Sequence, residues 1–196
     1  MARDRASRPE ATPLRLFVAV EVPEAVRVLV EEVVAPWRER FPRARWVPRE
    51  NQHVTVKFLG TTWPRLVETV TRAVGEVAAR HAGFETRAVE LGAFPSVRRA
   101  RVLWVALEDS AGRLAAIAAS LDEVLERDFA PEKRAFTPHL TVARFDPPVP
   151  LEDLSEASLE AEPFSVERMI LFESHLRRPA PVYEPLATFP FGAGGR

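Results

Sequence analysis

The stretch HVTVKFLG at residues 53–60 and the stretch HLTVARF at residues 139–145 both begin with a His-x-Thr-Val pattern. Successive side chains of an extended strand point to opposite faces, so the His and Thr of each stretch point one way and their apolar neighbours point the other. Each stretch therefore predicts a strand with one imidazole and one hydroxyl group on its polar face. A single His-x-Thr pattern usually marks the solvent-facing side of a strand. Here two of the four histidines carry it, and the pair is a much stronger indication of a site than either copy alone.

The candidate site residues from these patterns are His53, Thr55, His139 and Thr141. Histidine titrates near neutrality, so one ring can accept a proton at the same pH at which another donates one. Two imidazoles that meet in one cleft therefore supply the general acid and base needed to cleave a phosphodiester without a metal. The two threonine hydroxyl groups can donate hydrogen bonds to phosphate oxygens.

The sequence resembles the 2H phosphoesterase superfamily, which is defined by two His-x-Thr/Ser-x motifs in the two halves of one chain. The closer resemblance is to its RNA 2′,3′-cyclic phosphodiesterase branch, also called the bacterial 2′-5′ RNA ligase family. Five segments carry it in order: RLFVAVEVP at 15–23, WVPRENQHVTVKFLG at 46–60, GAFPSVRRARVLWVALE at 92–108, FTPHLTVARF at 136–145 and SVERMILFESHL at 165–176.

This resemblance implies metal-independent hydrolysis of RNA 2′,3′-cyclic phosphate ends to 2′-phosphomonoesters, with no cofactor. It implies that His53 is the acid that protonates the departing O3′ and that His139 is the base that activates water. It also implies that Thr55 and Thr141 hold the phosphate. The implied partner is RNA with 2′,3′-cyclic phosphate termini, including tRNA halves that the reverse reaction would join by a 2′-5′ bond.

Two further contacts are implied at the fifth position after each histidine. An arginine after the second histidine would contact the phosphate, and an aromatic residue after the first would stack on the terminal base. Arg144 and Phe58 occupy these positions. Strict alternation puts both on the face opposite to the His-x-Thr side chains, so each assignment requires a bend or bulge in its strand. For Phe58 the alternative is an ordinary place in the core.

Composition excludes several other kinds of site. The chain has no cysteine, which excludes disulfide bonds, thiolate nucleophiles and Cys-ligated zinc. It has no glycine-rich phosphate loop of standard spacing, which argues against a kinase or an ATP-using ligase. No third metal ligand recurs at a recognisable spacing from the motif histidines, so we expect no metal.

The formal net charge of −1 argues against a protein that holds long nucleic acid by its phosphates alone. Nearly all the positive charge is arginine, which can form two-pronged contacts with phosphate. Two local clusters would line a path for an RNA end, or are solvated surface: Arg43, Arg45 and Arg49, and Arg98, Arg99 and Arg101.

Apolar patterning predicts an α+β fold. Strands are expected at residues 14–22, 54–59, 84–94, 102–107, 139–145, 164–172 and 183–189, and helices at 23–40, between Thr62 as N-cap and Gly83, and at 112–129. Pro147, Pro148 and Pro150 predict a break after the second motif strand. We expect two antiparallel sheets that line a central cleft, with helices on the outer faces. The resemblance implies the same bilobal fold with pseudo-twofold symmetry.

We expect a flexible N-terminal tail at 1–13, a single bilobal domain at 14–191 and a C-terminal tail at 192–196. No apolar run approaches the length of a membrane span, and the arginine-containing N-terminus lacks the apolar core of a signal peptide, so we expect a cytoplasmic monomer. Two alternatives stay open: a phosphodiesterase for 2′,5′-linked or small cyclic nucleotides, and a non-catalytic nucleotide- or RNA-binding module. The presence of both histidines and both threonines favours an enzyme.

Overall fold

The computed structural model describes residues 12–192. The two predicted tails fall outside the described residues, apart from residues 12, 13 and 192. The helices are α1 (Glu24–Arg40), α2 (Pro64–Arg80) and α3 (Arg113–Leu125). The strands are β1 (Leu14–Glu21), β2 (Arg45–Trp46), β3 (His53–Thr62), β4 (Phe84–Thr86), β5 (Ala88–Phe94), β6 (Ala100–Leu107), β7 (His139–Val149), β8 (Phe164–Val166), β9 (Arg168–His175) and β10 (Val182–Pro190).

Eight strands form one antiparallel sheet in the order β10-β9-β1-β3-β7-β6-β5, and β2 pairs with β7 beside this path. Strands β4 and β8 form a separate two-stranded sheet. The predicted α+β class is confirmed. The two predicted sheets are two lobes of one sheet, because β3 and β7 are paired only at Val54 and Leu140. We call β10-β9-β1-β3 the first lobe and β7-β6-β5, with β2, the second lobe.

The helices cover the sheet through their apolar faces. Helix α2 packs against β9, β10 and α3, and α3 packs against β3. The buried side chains of the two lobes belong to one hydrophobic cluster, which includes Val54 of the first lobe and Leu140 of the second. The motif strands therefore lie at the centre of the fold, where a rigid backbone can fix their polar side chains. Within residues 12–192, no helix combines the length and apolar character needed to cross a membrane.

Several local predictions are wrong. The strand predicted over 84–94 is divided between β4 and β5, and the strand predicted over 164–172 is divided between β8 and β9. In each case the two pieces belong to different sheets. Trp63, rather than Thr62, precedes α2, and the Thr62 hydroxyl donates to the carbonyl of Gly60. Strand β7 continues through Pro147 and Pro148 to Val149, because the register against β6 is irregular there and prolines are tolerated where the ladder is interrupted.

Candidate active site

The two His-x-Thr motifs lie side by side where the lobes meet. Val54 and Leu140 are direct cross-strand partners and are both fully buried. The residues that flank them point to the opposite face of the sheet, because side chains alternate along each strand. That face therefore carries the four motif residues that the sequence singled out, all partly exposed: His53, Thr55, His139 and Thr141.

A bulge in β3 places Phe58 on the face that carries the motif residues. Val56 and Lys57 are neighbours and both are buried, and the pairing with β1 shifts by one residue between Val18 and Ala19. Alternation is reversed after such an extra residue. Phe58 is 52% exposed, and the Arg15 guanidinium lies 4.8 Å from the centre of its ring. The structure thus brings Phe58 to the site face instead of the core.

The same bulge recurs in β7. Val142 and Ala143 are both fully buried, and the pairing with β6 shifts between Leu103 and Trp104. Arg144 is consequently exposed on the face that carries the second motif. Both bulges fall at the third and fourth positions after the motif histidine, so the two motif strands share this backbone detail.

Buried charge fixes the first bulge. The Lys57 ammonium is almost fully buried, where it forms an ion pair with Asp122 of α3 and donates to the carbonyl of Ala130 at 3.1 Å. A buried ammonium without such partners would be costly, so the inward direction of Lys57 depends on α3 and the segment after it. That direction in turn sends Phe58 outward.

The two imidazoles are held in equivalent ways. His53 Nδ1 donates to the carbonyl of Asn51 at 2.8 Å, and His139 Nδ1 donates to the carbonyl of Thr137 at 2.7 Å. Each carbonyl belongs to the residue two positions earlier and can only accept, so each neutral ring carries its proton on Nδ1. Nε2 is then the nitrogen available for chemistry on both rings. His53 Nε2 accepts from the Thr55 hydroxyl at 3.1 Å.

Aromatic side chains of the first lobe surround His53. Phe17 stacks on its ring with centroids 4.8 Å apart, and Tyr183 contacts it edge-on at 5.2 Å. This burial is the main reason that the pKa of His53 is lowered from 6.5 to about 4; the Asn51 carbonyl opposes the shift, whereas the positive charge of Arg27 adds to it. His53 is therefore neutral at pH 7 in the free protein.

His139 has a corresponding aromatic wall in the second lobe. Phe94 and Trp104 contact its ring edge-on at 5.3 and 6.1 Å. Burial lowers the pKa of His139, the Thr137 carbonyl opposes this shift, and the charge of Arg144 lowers the pKa further. Arg144 therefore lies within electrostatic range of the ring. Gly92 leaves room for this wall, since a Cβ atom there would lie 2.3 Å from the Trp104 ring.

Sequence reasoning missed the aromatic walls. The patterning predicts only strand positions for Phe17, Phe94 and Trp104, yet each faces a motif histidine. A usable signal existed for Phe17, because alternation places it with Glu21 on one face of β1, and a carboxylate is not expected on a core face. No comparable signal exists for Tyr183, which reaches His53 from a strand far along the chain.

The remaining polar features lie outside this constellation. His81 contacts the Ser120 hydroxyl, and His175 contacts Glu184. Three arginines of the predicted clusters form ion pairs with nearby carboxylates: Arg49 with Glu24, Arg98 with Glu152, and Arg101 with Asp146. No group of three or more His, Asp or Glu side chains in residues 12–192 is arranged to hold a metal ion.

The sequence model of the 2′-5′ RNA ligase superfamily matches residues 22–178. The RNA 2′,3′-cyclic phosphodiesterase of Aeropyrum pernix is 34% identical over 158 residues, which cover 76% of this chain and 88% of that protein. The RNA 2′,3′-cyclic phosphodiesterase of Geobacillus stearothermophilus is 27% identical over 177 residues, which cover 89% of this chain. This matched stretch spans 56% of the length of the Geobacillus protein.

Solved structures show the same fold. The crystal structure of TT0787 of Thermus thermophilus superimposes with a TM-score of 0.79 at 27% identity, covering 93% of this chain and all of that chain. The crystal structure of E. coli LigT complexed with NADP+ superimposes with a TM-score of 0.69 at 26% identity, covering 91% of this chain and 98% of that chain. The fold is that of a 2H phosphoesterase. The chain belongs to the 2′-5′ RNA ligase superfamily.

Proposed function

We propose that this protein hydrolyses RNA 2′,3′-cyclic phosphate ends to 2′-phosphomonoesters by general acid–base catalysis, without a metal. The observation that carries the proposal is the equivalent anchoring of two imidazoles on one face, each with Nδ1 held by a backbone carbonyl, which leaves Nε2 for proton transfer. The Thr55 hydroxyl donates to His53 Nε2 in the free protein and becomes free to bind the phosphate once that nitrogen is protonated. The names of the relatives from Aeropyrum pernix and Geobacillus stearothermophilus support the substrate class.

Hydrolysis of the cyclic diester requires a nucleophile and a leaving group on opposite sides of phosphorus. His139 Nε2 takes a proton from water, whose oxygen forms a bond to phosphorus. The bond between phosphorus and O3′ breaks on the opposite side, and His53 donates a proton to O3′. The product keeps phosphorus on O2′, and each proton transfer contributes a factor of about 10² to 10⁴ in rate.

His53 has to gain its proton when the substrate binds. In the free protein the pKa of His53 is about 4, so the ring is neutral at pH 7 and cannot donate from Nε2. The phosphate of the substrate is an anion, and a negative charge beside a buried imidazole raises its pKa. Substrate binding thus prepares the acid that the reaction needs.

The phosphate oxygens are held by Thr55, Thr141 and Arg144. The two hydroxyl groups and the guanidinium donate to the non-bridging oxygens, on which charge grows as water adds. Phe58 offers an exposed ring beside this group and stacks on the terminal base, with Arg15 over part of the ring. The bulges in β3 and β7 support these assignments, because each brings its residue to the motif face.

The same residues serve ligation, in which a 5′-hydroxyl group takes the position of water. His139 takes the proton of that hydroxyl group, whose oxygen bonds to phosphorus, and the bond between phosphorus and O3′ breaks as His53 donates a proton to O3′, so that RNA ends such as tRNA halves are joined by a 2′-5′ bond. By microscopic reversibility, the two histidines exchange roles when such a bond is cleaved. The protein acts on these RNA ends as a cytoplasmic monomer.

The proposal is tested with an RNA oligonucleotide that ends in a 2′,3′-cyclic phosphate. His53→Ala and His139→Ala should each lower turnover by about 10² to 10⁴, and the double variant should be scarcely worse, because the two residues act as a unit. His81→Ala is the matched control, since His81 contacts Ser120 outside the site and should keep wild-type turnover.

Melting temperatures of all variants show whether a loss of activity reflects unfolding. Near-wild-type turnover in either motif variant would contradict the two-histidine mechanism. Turnover of nucleoside cyclic phosphates without turnover of the RNA would favour a phosphodiesterase for small cyclic nucleotides instead.

A further inference from the structure

A cavity of about 570 Å³ opens beside His53, and its lining does not include His139. Its walls include the segment 48–52 before β3, the loop 177–181 between β9 and β10, and Arg27 of α1, together with residues of the first-lobe strands. This volume falls within the range of about 300–1,000 Å³ that is typical of small-molecule sites. The cavity is therefore large enough for part of a nucleotide beyond the reacting phosphate.

The charges around this cavity favour an anion. Arg27, Arg177 and Arg178 contribute three guanidinium groups, against the carboxylates of Glu21 and Glu50. One of these carboxylates is already neutralised, because Glu21 forms an ion pair with Arg168 at 3.0 Å. The balance of charge that remains at the cavity is positive.

Arg27 is the most informative of these residues. Its Nε atom is buried and has no hydrogen-bond partner within the described part of the chain. A buried donor without an acceptor is unfavourable, and a bound ligand with acceptor oxygens would satisfy it. Arg27 also lines a second, smaller cavity of about 230 Å³ together with Glu21, so the two cavities adjoin at this side chain.

The cavity is connected to His53 through Asn51. The Asn51 side-chain amide donates to the carbonyl of Pro181 at 2.7 Å, and the Asn51 backbone carbonyl accepts from His53 Nδ1. The loop that carries the two exposed arginines is thus fixed relative to the imidazole. A ligand group held by this loop has a defined position with respect to the reacting phosphate.

The proposed reaction determines which part of the RNA lies here. O3′ departs toward His53, so the ribose that bears it lies on the His53 side of phosphorus, and water approaches from the His139 side. The RNA chain that precedes the terminal ribose continues on the His53 side. We propose that the cavity lined by Arg27, Arg177 and Arg178 is a second RNA subsite, which binds the phosphodiester and nucleoside that precede the terminal nucleotide.

This inference rests on the proposed function and makes it more specific: the substrate is an oligoribonucleotide end, not a mononucleotide. The experiment compares kcat/KM for a ribodinucleotide ending in a 2′,3′-cyclic phosphate with that for the nucleoside 2′,3′-cyclic phosphate of the same terminal base. A charge-assisted contact to the extra phosphate should favour the dinucleotide by about tenfold to a hundredfold in the wild type.

Arg27→Gln should bring this ratio toward one, and Arg27→Lys should restore part of it by restoring the charge. Arg72→Gln is the matched control, because Arg72 on α2 is 69% exposed and pairs only with Glu76 among the described residues. The ratio should be unchanged in this control. The ratio of the two kcat/KM values does not depend on the effect of the Arg27 charge on His53, because that effect changes kcat/KM for both substrates alike.

Equal kcat/KM for the two substrates in the wild type would overturn the subsite, as would an equal loss for both in Arg27→Gln. Equilibrium binding of the corresponding dinucleotide and mononucleotide 2′-phosphates distinguishes failure of the subsite from failure of the proposed function. If neither cyclic phosphate is hydrolysed, the function fails. If the two 2′-phosphates bind equally well to the wild type, the subsite fails whether or not hydrolysis occurs.

Discussion

Occupation of the site by a phosphate should raise the pKa of His53 from its value of about 4 in the free protein toward neutrality. The shift from 6.5 to about 4 is roughly 2.5 units, and at about 1.36 kcal/mol per unit it makes ionisation of the ring about 3 kcal/mol less favourable than in water. A single negative charge about 4 Å from the ring contributes about 4 kcal/mol at the effective dielectric constant of a protein surface. The phosphate is therefore sufficient to offset the burial.

The assay is an NMR titration of ring resonances in histidine-labelled protein, with and without a nucleoside 2′-monophosphate. The four histidines are assigned from single His→Ala variants. In the free protein His53 should titrate well below 6.5, and with ligand its midpoint should rise by about 2–3 units. A free-protein midpoint at or above 6.5, or a midpoint that ligand does not move, would refute the reasoning that substrate supplies the conditions for protonation.

The lowered pKa of His53 also makes the free energy of unfolding depend on pH. The pKa of His53 is lower in the folded protein than in the unfolded chain, so the unfolded chain binds more protons between about pH 6.5 and pH 4. The free energy of unfolding should therefore decrease as pH falls through this window. His53→Ala should show a flatter decrease over the same range, measured by urea unfolding at each pH.

Three further predictions concern the phosphate site, the aromatic wall and metal dependence. Arg144→Ala should lower kcat/KM by about 10² or more with little change in melting temperature, and Arg144→Lys should recover part of the loss; a variant with full activity would remove Arg144 from the site. Gly92→Ala should cost about 1–3 kcal/mol of stability in urea unfolding, because the new Cβ would lie 2.3 Å from the Trp104 ring, and wild-type stability would contradict that packing. Hydrolysis should survive exhaustive treatment with EDTA, whereas a loss that added zinc or magnesium restores would show that a metal is required.

Apolar patterning allowed the class of fold to be predicted, and the paired motifs allowed four candidate site residues to be singled out, because both patterns are local. Each His-x-Thr sequence specifies two side chains on one face of a strand, and this needs no knowledge of distant residues. The pattern did not reveal the bulges that bring Phe58 and Arg144 to that face. The first depends on the burial of Lys57 against Asp122, which lies in α3 and is far away in sequence.

The contacts around the histidines could not be predicted for the same reason. Alternation places Phe17 on the same face of β1 as Glu21, but its contact with His53, like that of Tyr183 from β10, emerges only once the order of strands is known. The continuation of β7 through Pro147 and Pro148 likewise depends on where the ladder with β6 is irregular. Arg27 lies on a helix whose apolar spacing was evident, but nothing in that spacing indicates that its Nε atom is buried without a partner.

The position of the phosphate in the product tests the central claim most directly. If His53 protonates O3′ while His139 activates water on the opposite side, an RNA ending in a 2′,3′-cyclic phosphate is converted to a 2′-phosphomonoester, which phosphorus NMR distinguishes from a 3′-phosphomonoester. A 2′-phosphate is the expected product. A predominant 3′-phosphate would contradict the assigned roles of the two histidines, and recovery of the cyclic phosphate unchanged would contradict the proposed activity itself.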